Sequence, residues 1–313
     1  MTEHMTKQMD TDVAVIGAGP TGLFAVFQCG MLGLKCHIID SLDQIGGQCT
    51  ALYPEKPIYD IPAEPSITAA DLIEQLEAQA APFAPTLHLG QQVTEIGGIE
   101  GNFALKTNKN LILTAKAIII AGGAGSFGPN RPPIENITEF EGTSVFYAVR
   151  NRAQFSGKKI VIAGGGDSAV DWANSLAEIA AHITLIHRRD KFRAAQSSLD
   201  KLAKNKALGK VEIITPAQLH SLHGNNNLLH KITIADLDGK TLDLDADILL
   251  PFFGLATDLG PVSSWGLNLD HHQIKTDKST SATSTQGIYA IGDIATYPHK
   301  LKLILTGFAE AAQ

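Results

Sequence analysis

The stretch Asp12-Val13-Ala14-Val15-Ile16-Gly17-Ala18-Gly19-Pro20-Thr21-Gly22 decides the fold, and Lys159-Ile160-Val161-Ile162-Ala163-Gly164-Gly165-Gly166-Asp167-Ser168-Ala169 repeats it. Each is an apolar run, a glycine-rich turn and a helix start, the element that offers backbone N–H groups to a pyrophosphate in a Rossmann unit. The two copies differ at one informative position. Twenty-three residues past Gly17 stands Asp40, closing the apolar run Cys36-His37-Ile38-Ile39. Twenty-three residues past Gly164 stands His187, opening His187-Arg188-Arg189. A carboxylate at that place accepts hydrogen bonds from ribose hydroxyls, whereas guanidinium groups pair with a 2′-phosphate. The expectation is an α/β chain with two Rossmann-like domains that hold two different dinucleotides, the second one phosphorylated.

Working outward, about Thr11 to Gly123 reads as β-α-β followed by an insertion and the strand Ala117 to Ala121. Asp71 to Ala81 has helical apolar spacing, and Phe103 to Leu113 alternates as a hairpin does. Gly122 to Pro133 is rich in Gly and Pro and reads as a linker. A second unit with its own strand at Asp247 to Phe253 follows, then a turn-rich Gly254 to Pro261 and a strand ending in Gly292-Asp293. The economical layout inserts the second domain, residues 126–255, into a discontinuous first domain, residues 1–125 and 256–313.

Composition excludes several classes. The chain has 313 residues, 44% hydrophobic and 18% charged, and a formal net charge of −7, which argues against general nucleic-acid binding. The polar start Met1 to Asp10 does not resemble a signal peptide, and no apolar run reaches membrane-spanning length. Three cysteines, Cys29, Cys36 and Cys49, give no disulfide framework, so a cytoplasmic location is expected and no metal site is indicated.

These motifs, with Gly46-Gly47-Gln48, Ala51-Leu52-Tyr53-Pro54-Glu55-Lys56, His187-Arg188-Arg189-Asp190-Lys191-Phe192-Arg193-Ala194 and Gly292-Asp293 followed by Lys300-Leu301-Lys302-Leu303-Ile304, resemble the thioredoxin-reductase-like ferredoxin–NADP reductases. The resemblance covers nearly the whole chain from about Thr11. It implies that Gly17, Gly19, Thr21 and Gly22 surround the FAD pyrophosphate and that Asp40 holds its ribose. Gln48 and Tyr53 would touch the flavin half, Val93 the adenosine, Phe127 the isoalloxazine, and Asp293 the ribityl chain or pyrophosphate. Gly164, Gly166 and Ser168 would cradle the NADPH pyrophosphate, with Arg188, Arg189 and Arg193 facing its 2′-phosphate. A homodimer is implied as well. In the family a further tail resembling a lid follows the position of Gln313, so a truncated or lidless flavin face is expected.

Plainer readings compete at single residues. Tyr53 could be a loop aromatic against the core, Arg188, Arg189 and Arg193 a solvated charge run, and Asp293 a helix N-cap. His37 and His187 carry no catalytic assignment. Disulfide-reducing relatives of this family use a C-x-x-C before the second fingerprint or two cysteines after the Gly-Gly pair. Here Tyr147 to Phe155 contains no cysteine, and five residues past Cys49 stands Pro54. A lone thiol cannot cycle as an internal disulfide. The expected function is therefore an oxidoreductase that passes electrons from NADPH through FAD directly to ferredoxin or flavodoxin, with no catalytic side chain. Alternatives are an oxygen- or peroxide-reducing flavoprotein, a thioredoxin-reductase-like disulfide reductase, disfavoured by the cysteine count, and a flavin redox sensor. Lys300 and Lys302 are the candidates for a basic rim that docks an acidic carrier, Lys302 being the one that could instead point into the fold.

Overall fold

The computed structural model describes residues 7–313, and among these the side chains of residues 126–129 and 255–257 stand outside the description, so the expectation for Phe127 lies outside the described residues. The chain divides into two units, Met1–Phe127 with Thr257–Gln313 and Gly128–Ala256.

The first unit opens on β1 (Lys7–Ile16), whose alternate residues reach opposite faces of its sheet. Val13 and Val15 join one core cluster and Ala14 another. The turn Gly17 to Gly19 leads into α1 (Pro20–Met31), with Pro20 at its start, where a missing N–H costs nothing. Gly33, at φ +74°, turns the chain after its end. β2 (Cys36–Ile39) follows, then α2 (Ala69–Ala80), capped by the Thr68 hydroxyl, which accepts the Asp71 N–H at 3.1 Å. Leu72, Ile73 and Leu76 of α2 pack with Leu23 and Val26 of α1 on one face of the sheet.

Strands β3 (Thr86–His88), β4 (Val93–Ile99), β5 (Asn102–Thr107) and β6 (Leu111–Ile120) complete the order β3-β2-β1-β6-β5-β4. The expected hairpin and the expected strand Ala117 to Ala121 prove to share one ten-residue strand, β6. It runs parallel to β1 from Lys7↔Leu111 to Ile16↔Ile120 and antiparallel to β5 from Phe103↔Ala115 to Lys106↔Ile112. The polar turn after Thr107 marks the hairpin, but no break separates Leu113 from Ala117, and the apolar alternation carries straight on.

The second unit repeats the pattern on a smaller scale. Its parallel sheet contains β7 (Lys159–Ala163), β8 (His182–Ile186) and β9 (Val211–Ile214), with α3 (Asp167–Leu176) after β7 and α4 (Gln196–Ala207) after β8. An antiparallel sheet of β10 (Gln218–Asn225), β11 (Leu228–Ala235) and β12 (Thr241–Asp245) follows. Its Leu222, Ile232 and Ile234 share a core with Val161, Ala163, Ile186 and Leu249. The last of these lies on β13 (Ile248–Pro251), which pairs with β7 to give the order β9-β8-β7-β13. The Gly- and Pro-rich stretches read as linker and turns hold short strands at Ser126–Pro129 and Leu255–Asp258 and a 3-10 turn at Gly260–Ser264.

Back in the first unit, β14 (Ile288–Ala290) runs parallel to the second half of β6, with Ile288↔Ile118. The chain then makes a 3-10 turn over Gly292–Ile294 and ends in α5 (Ile304–Ala312). No helix among the described residues is long and apolar enough to cross a membrane.

Candidate functional site

A cleft of about 320 Å³ lies in the first unit, where the C-terminal ends of β1, β2 and β6 meet the loop after β14. Gly17, Gly19, Thr21, Asp40, Gln48, Tyr53, Val93 and Asp293 all line it. Ligands of doubly wound sheets settle at this edge, so the placement follows from topology. Gly22 is the fingerprint glycine that does not line the cleft. A Cβ there would stand 1.9 Å from the Gly17 carbonyl oxygen, so Gly22 serves the close approach of α1 to the turn. Gly17 itself holds φ +113° with its missing Cβ directed at the Ala121 carbonyl.

Asp40 performs a task that its sequence offset does not reveal. Its Oδ2 accepts the Ala18 N–H at 2.6 Å and its Oδ1 the Leu42 N–H at 2.8 Å. The carboxylate thus clamps the fingerprint turn while still facing the cleft. Burial raises its pKa, and the two backbone N–H groups oppose that rise. Each oxygen keeps lone-pair capacity for a further donor.

The Gly46-Gly47 pair brings the next group in. The Gly46 N–H donates to the Ala18 carbonyl at 2.8 Å, and a Cβ on Gly47 would stand 3.2 Å from the Gly19 Cα. This contact docks the helical turn Gln48–Ala51 and so presents Gln48, Cys49 and Tyr53 to the cleft. The Cys49 thiol is buried and hydrogen-bonded with the Tyr53 hydroxyl. Burial pushes the thiol pKa up to about 11 and the phenol well above its usual range. Cys49 therefore stays a protonated thiol at neutral pH, which suits neither a nucleophile nor a redox relay.

Asp293 corrects one expectation. It is not a helix N-cap, because it lies inside the 3-10 turn Gly292–Ile294, whose cap residue is Ile291. The residue is exposed into the cleft, but the surrounding protein partly desolvates its carboxyl and raises its pKa, opposed by the charges of Lys302 and Lys300. The two lysines also exchange the roles that the sequence suggested. The Lys300 side chain is 4% exposed and bound to Glu310, whereas Lys302 is exposed and lines the cleft. Residues absent from the sequence reading include Trp265, Gln91 and Gln92, which complete the wall. Trp265 Nε1 donates to the Thr94 carbonyl at 3.4 Å, a contact 171 positions apart that no local signal announces.

The second unit presents its fingerprint differently. The turn Gly164 to Gly166 joins β7 to α3, and Gly166 caps the helix by its backbone alone. The cationic segment after β8 folds back on it. The Arg193 N–H donates to the Gly165 carbonyl at 2.6 Å, and the Ala195 N–H donates to Asp167 Oδ1 at 2.8 Å. The His187 ring stacks on Phe192 at 5.5 Å, over a Gly165 whose Cβ would collide with it. Burial first, and then the charges of Arg188, Arg189 and Arg193, lower the His187 pKa, so this imidazole is neutral at pH 7. Arg188, Arg189, Arg193 and Ser168 are all exposed, and the three arginines have no carboxylate partner among the described residues. Arginines without acidic partners beside helix α3's N-terminal N–H groups form an anion-binding surface.

A sheet edge with one glycine cradle and a carboxylate, and a second cradle with cations, define a protein built to bind two dinucleotides. The chain belongs to the pyridine nucleotide-disulphide oxidoreductase family, whose model matches residues 11–311. It is 61% identical over 302 residues to a protein of Rickettsia felis named ferredoxin–NADP reductase, covering 96% of this chain and 90% of that one. It is 56% identical over 307 residues to the protein of that name from Paramagnetospirillum magneticum, covering 98% and 91%. In fold it is similar to T. acidophilum thioredoxin reductase, with a TM-score of 0.84 at 24% identity over 97% of this chain and 95% of that one. The two dinucleotides of this oxidoreductase are FAD and NADPH. The first cleft fits FAD on its own geometry. A Cβ on Gly19 would meet nothing within 4 Å, leaving backbone open to a phosphate, and the Asp40 carboxylate faces the same space.

Proposed function

We propose that this chain passes electrons between NADPH and a one-electron carrier protein, ferredoxin or flavodoxin, with FAD held in the first unit and NADPH on the second. One observation carries the reading: the cleft holds a single thiol, Cys49, and that thiol is buried and protonated. Cys29 and Cys36, the chain's other cysteines, are buried and do not line it. A disulfide substrate would meet no dithiol at the cleft, because Cys29 and Cys36, whose thiols neighbour each other, are buried away from it. The names of the near full-length relatives support the same reaction.

When bound, FAD supplies the ability to take an electron pair and release it one electron at a time. The protein's own part is to bind and exclude. Gly19 and Thr21 hold the pyrophosphate by backbone N–H groups, Gly17, whose own N–H donates to the Ile39 carbonyl at 2.8 Å, lets it approach the turn closely, Asp40 and Asp293 take hydroxyl donors, and Gln48 and Tyr53 wall the flavin half. On the second unit Gly164, Gly166 and Ser168 hold the NADPH pyrophosphate, and Arg188, Arg189 and Arg193 select the 2′-phosphate. The domain boundaries belong to the same proposal, as do a homodimer and a cytoplasmic location.

The test is NADPH oxidation by holoenzyme with ferredoxin, flavodoxin, thioredoxin or oxygen as sole acceptor. Fast turnover with a one-electron carrier is expected. Faster turnover with oxygen alone would favour an oxidase, turnover with thioredoxin a disulfide reductase, and slow turnover with every acceptor a sensor. With a net charge of −7, docking of an acidic carrier rests on a local basic rim, and Lys302 is its member at the cleft. Lys302→Glu is expected to slow carrier reduction several-fold at low salt and hardly at all at high salt, because rim charges steer encounter. Equal slowing at both salt concentrations would remove Lys302 from the rim.

A further inference from the structure

Lys300 and Glu310 form an ion pair that is almost wholly buried, with side chains 4% and 2% exposed. Lys300 Nζ stands 2.7 Å from one Glu310 oxygen and 2.9 Å from the other. The same two groups hold both backbone groups of Gly292. Its N–H donates to Glu310 Oε2 at 2.7 Å, and its carbonyl accepts Lys300 Nζ at 2.6 Å. Tyr297 closes the cluster, its ring 5.2 Å from Nζ.

Such a pair needs a reason. Removing two charges from water costs about as much as their attraction returns, and an apolar pair of like volume serves stability as well or better. What an apolar pair cannot do is fasten an N–H and a carbonyl of one residue at the same time. That residue precedes Asp293, which lines the cleft, and Glu310 belongs to α5, whose beginning at Leu303 and Ile304 lines it too. Thr21 packs into the same joint. A Cβ on Gly307 would stand 2.4 Å from its Oγ1, so α5 lies directly against the first fingerprint.

We propose that Lys300 and Glu310 are positioning residues for the flavin cofactor: together they fix the Gly292–Asp293 turn and the start of α5 where bound FAD needs them. The inference rests on the assignment of this cleft to FAD. The pair acts through Gly292 and touches no reacting atom. Its two charges cancel, so it delivers rigidity to the site without adding net charge beside it.

The experiment uses FAD-loaded Lys300→Met/Glu310→Leu, which removes both tethers and leaves no unpaired charge. FAD release on dilution, followed by flavin fluorescence, is expected to quicken at least tenfold, with a shifted flavin midpoint potential and a melting temperature near wild type at saturating FAD. Wild-type release and midpoint would overturn the proposal, as would a lowered melting temperature with both unchanged, since that marks support of the fold alone. Should the double variant not fold, Lys300→Met removes the tether to the Gly292 carbonyl alone, with Glu310 free to take up a proton once its partner charge is gone, and unchanged release and midpoint there overturn the proposal equally. Asp293→Ala separates the two levels. Faster release from Asp293→Ala beside a silent double variant sinks the positioning role and leaves the cleft assignment standing. Unchanged release from both sinks the cleft assignment and the proposal with it.

Discussion

The two glycine fingerprints share a backbone plan and differ in everything around it. The first is enclosed: Asp40 is tied to Ala18 and Leu42, Gly46 is bonded to Ala18, and Gly292 and Gly307 press on Thr21. The second lies open, with Ser168, Arg188, Arg189 and Arg193 exposed. Enclosure slows release and suits a resident cofactor. An open cationic surface gives selectivity by charge and lets the ligand leave, as a co-substrate must in every cycle.

That contrast can be broken most forcefully at the glycines. Gly22→Ala puts a methyl group 1.9 Å from the Gly17 carbonyl oxygen, against backbone that cannot yield. We expect the yield of yellow protein to fall to about a tenth or less. Gly166→Ala meets only the Arg193 carbonyl at 3.9 Å. It should leave FAD content at wild-type level and raise the KM for NADPH a few-fold. Equal loss of bound flavin in both variants would erase the distinction.

The next effect is smaller and confined to the open site. Arg188→Ala/Arg193→Ala should raise the KM for NADPH about tenfold or more and change that for NADH less than about twofold, since a charge-assisted phosphate contact is worth roughly 1.5–3 kcal/mol. Steady-state kinetics with the two nucleotides decides it, and parallel losses would return the arginines to an ordinary solvated face.

Acidity sharpens the enclosed side. Burial raises the pKa of Asp40 in the folded protein. A folded carboxyl with a raised pKa binds more protons than its unfolded counterpart. Its contribution to stability is therefore present at low pH and lost as pH climbs from the unfolded pKa through the folded one. In FAD-depleted protein, Asp40→Asn loses one backbone bond at every pH, so its melting temperature minus that of wild type starts from that offset and should increase as pH rises from about 4 to 7. A difference that falls over that range would contradict the assigned burial cost.

The smallest effect is expected at sulfur. Cys49→Ser should keep turnover per bound flavin within about twofold with a one-electron acceptor, because a thiol held near pKa 11 is not in play. Loss of turnover with FAD still bound would demand a role for it.

Much of this was legible along the chain because it is encoded locally. Gly17, Gly19 and Gly164 to Gly166 declare themselves by spacing, and Asp40 and Arg188 by their distance from those turns. What escaped was set by contacts between distant segments. Trp265 reaches the cleft only because the chain returns after the second unit. The exchange between Lys300 and Lys302 has a local cause that composition hides: His299 at φ +66° and the Lys300 N–H bond to the Tyr297 carbonyl turn Lys300 inward, while Lys302 follows in an irregular run that faces out. Asp40 was found, but its grip on Ala18 was not, since offset counts residues and not hydrogen bonds.

The place of β14 has a consequence for how the molecule is made. Strand β6 is complete once residue 120 has been synthesised, but its partner, Ile288–Ala290, comes 168 positions later, Ile118 to Ile288 being separated by 170. During translation the first unit must therefore wait with the second half of one flank of its central strand unpaired while the whole of Gly128–Ala256 emerges. An open apolar strand is a template for association with other chains. The inserted unit, contiguous in sequence, can fold as it leaves the ribosome, so the nascent chain spends its most vulnerable interval with its second half finished and its first half ajar.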